Sequence, residues 1–221
     1  FPKMVAYAKK KNILTIVSTN GMLLNESLNK QIVNSGLDYL ILSFDGATKK
    51  TYERYRGEGA NFEKVVSNLK SLIRARREMK KRNPFINLQF IVMKENEHEI
   101  PLIKEFSKSN GIDKLSLKKF TFIGEDVNGF LPKKERYILG KHKGQTLMKN
   151  CARLWDSSVI SWDGIIIPCC GDLNFEYNLG NIKTESFKHI WRNQKYIALR
   201  KLVLKNINQI RIISIWIFIV T

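Results

Sequence analysis

The sequence predicts an α/β protein: a run of parallel β/α units, part of a barrel or of an open doubly wound sheet, followed by a small α+β extension. Three observations predict it. Strand-like and helix-like segments alternate through the first two thirds of the 221 residues. The strand-like segments are short, nearly continuous apolar runs, as parallel strands covered by helices require. Past Cys151 the pattern changes to two β-branched runs around Asp163-Gly164, a hairpin signal.

The elements follow in order. Residues 2–11 read as helix, with Met4, Val5 and Ala8 on one face. Residues 13–18 form a β-branched run ending at the turn pair Asn20-Gly21. Asn25 or Ser27 can cap a short helix carrying Leu28, Ile32 and Val33, and Gly36 suits its end. Residues 39–43 make a second strand, ending at Asp45-Gly46. Phe62, Val65, Val66, Leu69, Leu72 and Ile73 recur at helical spacing on one stripe of a long helix. Its basic end, Arg74 to Arg82, suits the helix dipole, and Pro84 stops it. Residues 86–93 are a third strand, 100–109 a helix closed by Gly111, and 114–118 a fourth strand. Four such units cannot close a barrel of six or eight strands.

Residues 122–150 show no period and read as a connector. Residues 159–162 and 165–167 form the hairpin, and a helix over 186–201 carries Phe187, Ile190 and Trp191. The expected division is therefore 1–121 for the β/α part, 122–150 for the connector and 151–206 for the extension. Residues 207–221, rich in isoleucine and without an acidic residue, are expected to be an aberrant or frame-shifted tail, a native strand being the alternative.

An apolar content of 43% allows a real core. No apolar run approaches the ~20 residues of a membrane span, so no membrane partner and a cytoplasmic location are expected. The three cysteines, Cys151, Cys169 and Cys170, make a poor disulfide framework and suit a metal site better. The net charge of +18 invites a nucleic-acid reading. The lysines are scattered, however, and the basic cluster has no interleaved aromatics, so no specific nucleic acid is expected. Phe1 opens directly on a helix, from which upstream sequence is expected to be missing.

Several strings stand out together. They are Ser18-Thr19-Asn20-Gly21, then Leu42-Ser43-Phe44-Asp45-Gly46 with Tyr52, Arg56-Gly57 and Asn61-Phe62, then Met93-Lys94-Glu95-Asn96. Downstream, Cys151 is followed by a spacer of twelve, Gly164, a spacer of four, and Cys169. Leu179-Gly180-Asn181-Ile182 and Ile190-Trp191 continue the pattern. In their order and spacing these strings resemble radical S-adenosylmethionine (radical SAM) enzymes that carry an iron–sulfur-binding SPASM extension, and the resemblance implies a partial radical SAM barrel followed by a SPASM-like extension. It implies S-adenosylmethionine held by Asn20, Gly21, Ser43, Asp45 and Arg56, with Arg56 on the methionyl carboxylate, and Cys151, Cys169 and Cys170 as ligands of a [4Fe–4S] cluster. It further implies radical modification of a peptide, protein or small-molecule substrate. The family's Cys-x-x-x-Cys-x-x-Cys is absent from the sequence, so the chain as given is expected to be catalytically incomplete.

Each residue also has a plain structural reading. Asn20-Gly21 and Asp45-Gly46 can be simple turns, Asp45 can cap the segment after it, and Arg56 can be one more surface cation. Cys169 and Cys170 can be buried small hydrophobes. Trp162 and Trp191 are expected in the core rather than as substrate platforms. The rival function classes are a basic nucleic-acid-binding protein and an inactive scaffold.

Overall fold

The computed structural model describes residues 1–121, 129–138, 153–169, 171–172 and 174–205. These fall into two compact units, one reaching residue 138 and the other starting at residue 153. The expected tail, most of the connector, Cys151 and Cys170 lie outside the described residues.

In the first unit, α1 (Pro2–Lys10) starts with proline in its first turn, where the missing N–H is no loss. Val5 is buried, whereas Met4, expected on the same face, points to solvent. β1 (Ile16–Thr19) begins later than the expected 13–18. Ile13 and Leu14 are exposed, and the Thr15 N–H is bound by the Asp38 carboxylate at 2.8 Å, so pairing starts only at Ile16 opposite Tyr39. α2 (Glu26–Ser35) is capped by Asn25, whose Oδ1 accepts from the Leu28 N–H, and Gly36 ends it at φ 76°.

β2 (Tyr39–Ser43) has its expected bounds. The sequence reading missed α3 (Lys49–Arg56), a polar helix whose cap is Thr48 and not Asp45. α4 (Phe62–Glu78), capped by Asn61, stops before the basic run is complete. Lys80 turns left-handed (φ 52°), and the Lys81 N–H returns to the Arg76 carbonyl. β3 (Phe85–Ile91), α5 (Ile100–Ser109) and β4 (Lys114–Lys118) complete the series. β3 ends short of residue 93, where the Met93 N–H is taken by Asn96 Oδ1 at 2.7 Å.

The four strands form one parallel sheet in sequence order, β1-β2-β3-β4. The α/β expectation therefore holds. Sequential order with crossovers of one hand puts the connecting helices on one face. There Leu40, Leu42, Ile86, Leu88 and Phe90 pack with Ile32, Val33, Leu69, Leu72 and Ile103 from the helices. The alternate strand positions face the other way, and near the C-terminal ends they are Ser18, Ser43, Gln89 and Ser116.

The second unit starts with α6 (Arg153–Asp156) and an antiparallel sheet ordered β5-β6-β7. β5 (Val159–Ile160) and β6 (Ile165–Ile167) are the expected hairpin, and β7 (Gly180–Asn181) adds an edge not foreseen. A Cβ on Gly180 would meet Ile190 Cγ1 at 2.9 Å, which is why glycine is needed there. The expected final helix is two: α7 (Phe187–Trp191) and α8 (Gln194–Lys205). Asn193 breaks it, since its amide donates to the Leu179 carbonyl and its Oδ1 caps the Tyr196 N–H. Leu154, Ile166, Leu179, Ile190, Tyr196, Leu199 and Val203 form the core. Arg200 lies over the rings of Trp191 and Tyr196 and binds two carbonyls, so Trp191 is indeed a packing residue. Trp162 is not: it is 94% exposed at the corner of the turn that Ser161 and Gly164 close, where the side chain projects away from the sheet.

Candidate functional site

Parallel strands end on one side, so the turns after β1, β2 and β3 share an edge. Asn20 follows β1 and is exposed; its Oδ1 accepts from the Met22 N–H at 3.0 Å in a local turn, leaving its amide N–H groups outward. Gly21 is buried with φ 78°, and a Cβ there would come within 2.8 Å of Leu42 Cδ1, so this glycine is required by packing as well as by the turn. Its carbonyl accepts from the Asn68 amide of α4 at 2.9 Å. Ser43 closes β2, half-buried, in register with Gln89 of β3.

Asp45 lies deeper, 1% exposed. One carboxylate oxygen is paired with Arg56 and the other accepts from the Ile91 N–H at 2.7 Å. Burial pushes the Asp45 carboxyl up, while Arg56 and the Ile91 N–H pull it back toward the charged form. The same residue thus ties α3 to the end of β3 through its side chain, and its own carbonyl is held by the Asn96 amide at 2.9 Å. Arg56 is only partly exposed, and its Nε is buried without a partner. Next to Asp45, Gly46 leaves no room for any side chain, since a Cβ would stand 2.3 Å from the Tyr52 backbone nitrogen.

The edge therefore has two layers. Asp45 and Arg56, given to the cofactor by the resemblance, meet each other. Asn20 and Ser43 retain groups facing outward. Gln89 joins them on the helix-free face and was missed from sequence. Its signal was the alternation in Ile86-Asn87-Leu88-Gln89-Phe90, which places Asn87 and Gln89 together opposite the core positions. Asn87 is engaged by the Ser116 hydroxyl at 2.8 Å. A separate shallow recess along α4, between Phe62 and Arg74, is lined by that helix alone and shares no residue with this edge.

In the second unit Cys169 is buried just past β6, and its Sγ accepts from the Gly171 N–H at 3.4 Å. Asp172 fixes the chain beyond it by accepting from the Glu176 and Tyr177 N–H groups, both at 2.9 Å. An N–H aimed at sulfur suits a thiolate ligand. The other two cysteines, Cys151 and Cys170, are outside the described residues.

Residues 151–216 match SPASM, an iron–sulfur cluster-binding domain. The chain is 24% identical to the tungsten-containing aldehyde ferredoxin oxidoreductase cofactor-modifying protein of Pyrococcus furiosus, over 90% of this chain and 65% of that protein. It is 23% identical to the PqqA peptide cyclase of Granulibacter bethesdensis, over 61% of this chain and 35% of the relative. In fold it resembles SuiB of Streptococcus suis bound to S-adenosylmethionine, with a TM-score of 0.67 at 15% identity, covering 91% of this chain and 53% of SuiB. SuiB bound to precursor peptide SuiA gives a TM-score of 0.65 at 15% identity, covering 90% of this chain and 52% of SuiB. The chain thus spans less than two thirds of the length of these relatives.

Proposed function

Because the chain is a radical SAM–SPASM protein, we propose that its first unit binds S-adenosylmethionine at the C-terminal edge of β1–β3 and its second unit contributes cysteines to an iron–sulfur cluster. Asn20 and Ser43 supply outward amide and hydroxyl groups for the ribose and amino-acid ends of the cofactor. The Gly21 turn lets the chain pass close over Leu42 and Val65 at that edge. Arg56, oriented by Asp45, faces the methionyl carboxylate. The observation that carries the reading is this convergence: residues more than twenty positions apart in sequence meet at one edge with uncommitted polar groups above a fixed ion pair.

When bound, a [4Fe–4S] cluster and S-adenosylmethionine supply reductive cleavage and a carbon radical that takes hydrogen from substrate. This chain's residues would hold and orient the cofactor. Cys151, Cys169 and Cys170 are the ligands it offers to an auxiliary cluster, with the Gly171 N–H on the Cys169 sulfur. A peptide is the substrate class we favour, since PqqA peptide cyclase and the SuiA-bound SuiB are among the relatives.

Calorimetric titration of S-adenosylmethionine into the full chain tests the reading. Saturable binding is expected, weakened about tenfold in Ser43→Ala, which corresponds to roughly 1.4 kcal/mol. With only three cysteines and no Cys-x-x-x-Cys-x-x-Cys, the chain by itself is expected to bind the cofactor without cleaving it. Absence of any binding in the unaltered chain would remove the assignment.

A further inference from the structure

Residues 93–99, just past β3, hold more buried polar side chains than any function so far assigned to them needs. Asn96 and Glu99 are each 1% exposed and Glu97 is 9% exposed. Burying two carboxylates and an amide in so short a stretch is costly unless the groups are met by partners; their partners are specific, and the one Glu97 oxygen without a hydrogen bond lies 3.8 Å from Lys134 Nζ. Asn96 donates to the carbonyls of Asp45 and Ile91, both at 2.9 Å, and accepts from the Met93 N–H. Glu99 accepts from the Ala47 N–H at 2.8 Å, the Thr48 hydroxyl at 2.7 Å and the Thr51 hydroxyl at 2.8 Å. All of these lie in the loop after β2 and the first turn of α3. Glu97 turns the other way. It accepts from the Lys133 N–H at 2.7 Å, and beside it the Lys94 N–H donates to the Phe130 carbonyl at 3.0 Å.

We infer that residues 93–99 are a clasp in which Asn96 and Glu99 are positioning residues for the Asp45-bearing loop, while Glu97 anchors the connector at 129–138 to the same turn. The inference rests on the proposed cofactor edge for its functional meaning, but the clasp itself is a property of the protein alone. Asp45 reaches Arg56 correctly only if its backbone is held, and Asn96 is the side chain that holds it. Without Glu99 the Ala47 N–H and two threonine hydroxyls lose their common acceptor, and the apolar stacking of Phe44 on Phe106 of α5 remains.

Two isosteric variants of the full chain test this. Glu99→Gln puts an amide donor where three donors converge, and Asn96→Asp sets an oxygen against two carbonyl oxygens. Amide hydrogen exchange over residues 46–52 is expected to rise about tenfold or more in each, with β2 and β3 unchanged. In Glu97→Gln the rise is expected at residues 131–135. S-adenosylmethionine should bind Glu99→Gln about tenfold more weakly at unchanged melting temperature. Unchanged exchange over 46–52, or an equal rise throughout the sheet, would overturn the clasp. If the unaltered chain binds no S-adenosylmethionine, the cofactor reading fails, and the exchange pattern still decides the clasp.

Discussion

Asp45 and Arg56 depend on each other more than on anything else in the first unit. Burial disfavours the charged form of Asp45, a guanidinium and a backbone N–H offset that cost, and removing one partner strands the other. Arg56→Met is therefore expected to destabilise the unit by about 3–5 kcal/mol, the usual penalty for breaking a buried pair. Adding Asp45→Asn to that variant should recover much of the loss, since the uncompensated charge is gone. Urea unfolding of both variants checks it; a double variant no better than Arg56→Met would show that the pair is not what holds the loop. Gly21 and Gly46 belong to the same scale: both are required by backbone approach to neighbours, whatever binds above them.

Between elements, Asp38 is the fastening of α1 and β1 to the start of β2. Its carboxylate takes Lys9 Nζ at 2.8 Å together with the Thr15 N–H and hydroxyl, and its carbonyl accepts from the Phe85 N–H at 2.9 Å. The Lys9 hydrogen bond is the main force holding its carboxyl below the ordinary carboxylate value, with the Thr15 bonds adding to it. A lowered folded pKa contributes stability that is present above the unfolded value, about 4, and is lost as pH falls through the folded one. Asp38→Asn should thus be less stable than the unaltered chain at pH 7, and the gap should shrink as the pH drops below about 4. Denaturation curves at neutral and acidic pH measure this; a gap independent of pH would assign the effect to hydrogen bonding alone. At the same N-terminal end of the strands, between β3 and β4, Arg76 and Asp113 make a similar fastening, Arg76 reaching the Pro84 carbonyl and Asp113 the Ile86 N–H.

Across the whole molecule the excess of positive charge, +18, is distributed and partly internal. Arg76 is 12% exposed and engaged with Asp113, while Arg56 and Arg200 are built into the two units. The remaining lysines and arginines predict weak, sequence-independent binding to RNA or DNA that falls steeply with salt. Titrations at two salt concentrations and with unrelated sequences would show it. A complex that survived moderate salt and discriminated between sequences would instead favour the nucleic-acid class of function. Among the described residues no helix is long and apolar enough to cross a membrane.

The sequence alone determined the order of strands and helices, the parallel sheet, the Asp-Gly hairpin and the turns that carry Asn20, Ser43 and Asp45. Those features follow from short-range preferences: alternation of apolar segments, caps such as Asn25 and Asn61, and glycine where φ is positive. It did not reveal α3, whose face toward the core is little more than Tyr52, or β7, two residues paired only because β6 lies beside them. It placed Trp162 in the core on its hydrophobicity, where the turn directs it outward. Tertiary structure alone decided that Asp45 meets Arg56 and Ile91, that Glu99 serves Ala47 and Thr51 from 52 and 48 positions away, and that Gln89 shares a face with Ser43. A buried polar group must be satisfied by whichever partner the packed chain brings within reach, and that choice depends on distances in space that local sequence patterns do not encode.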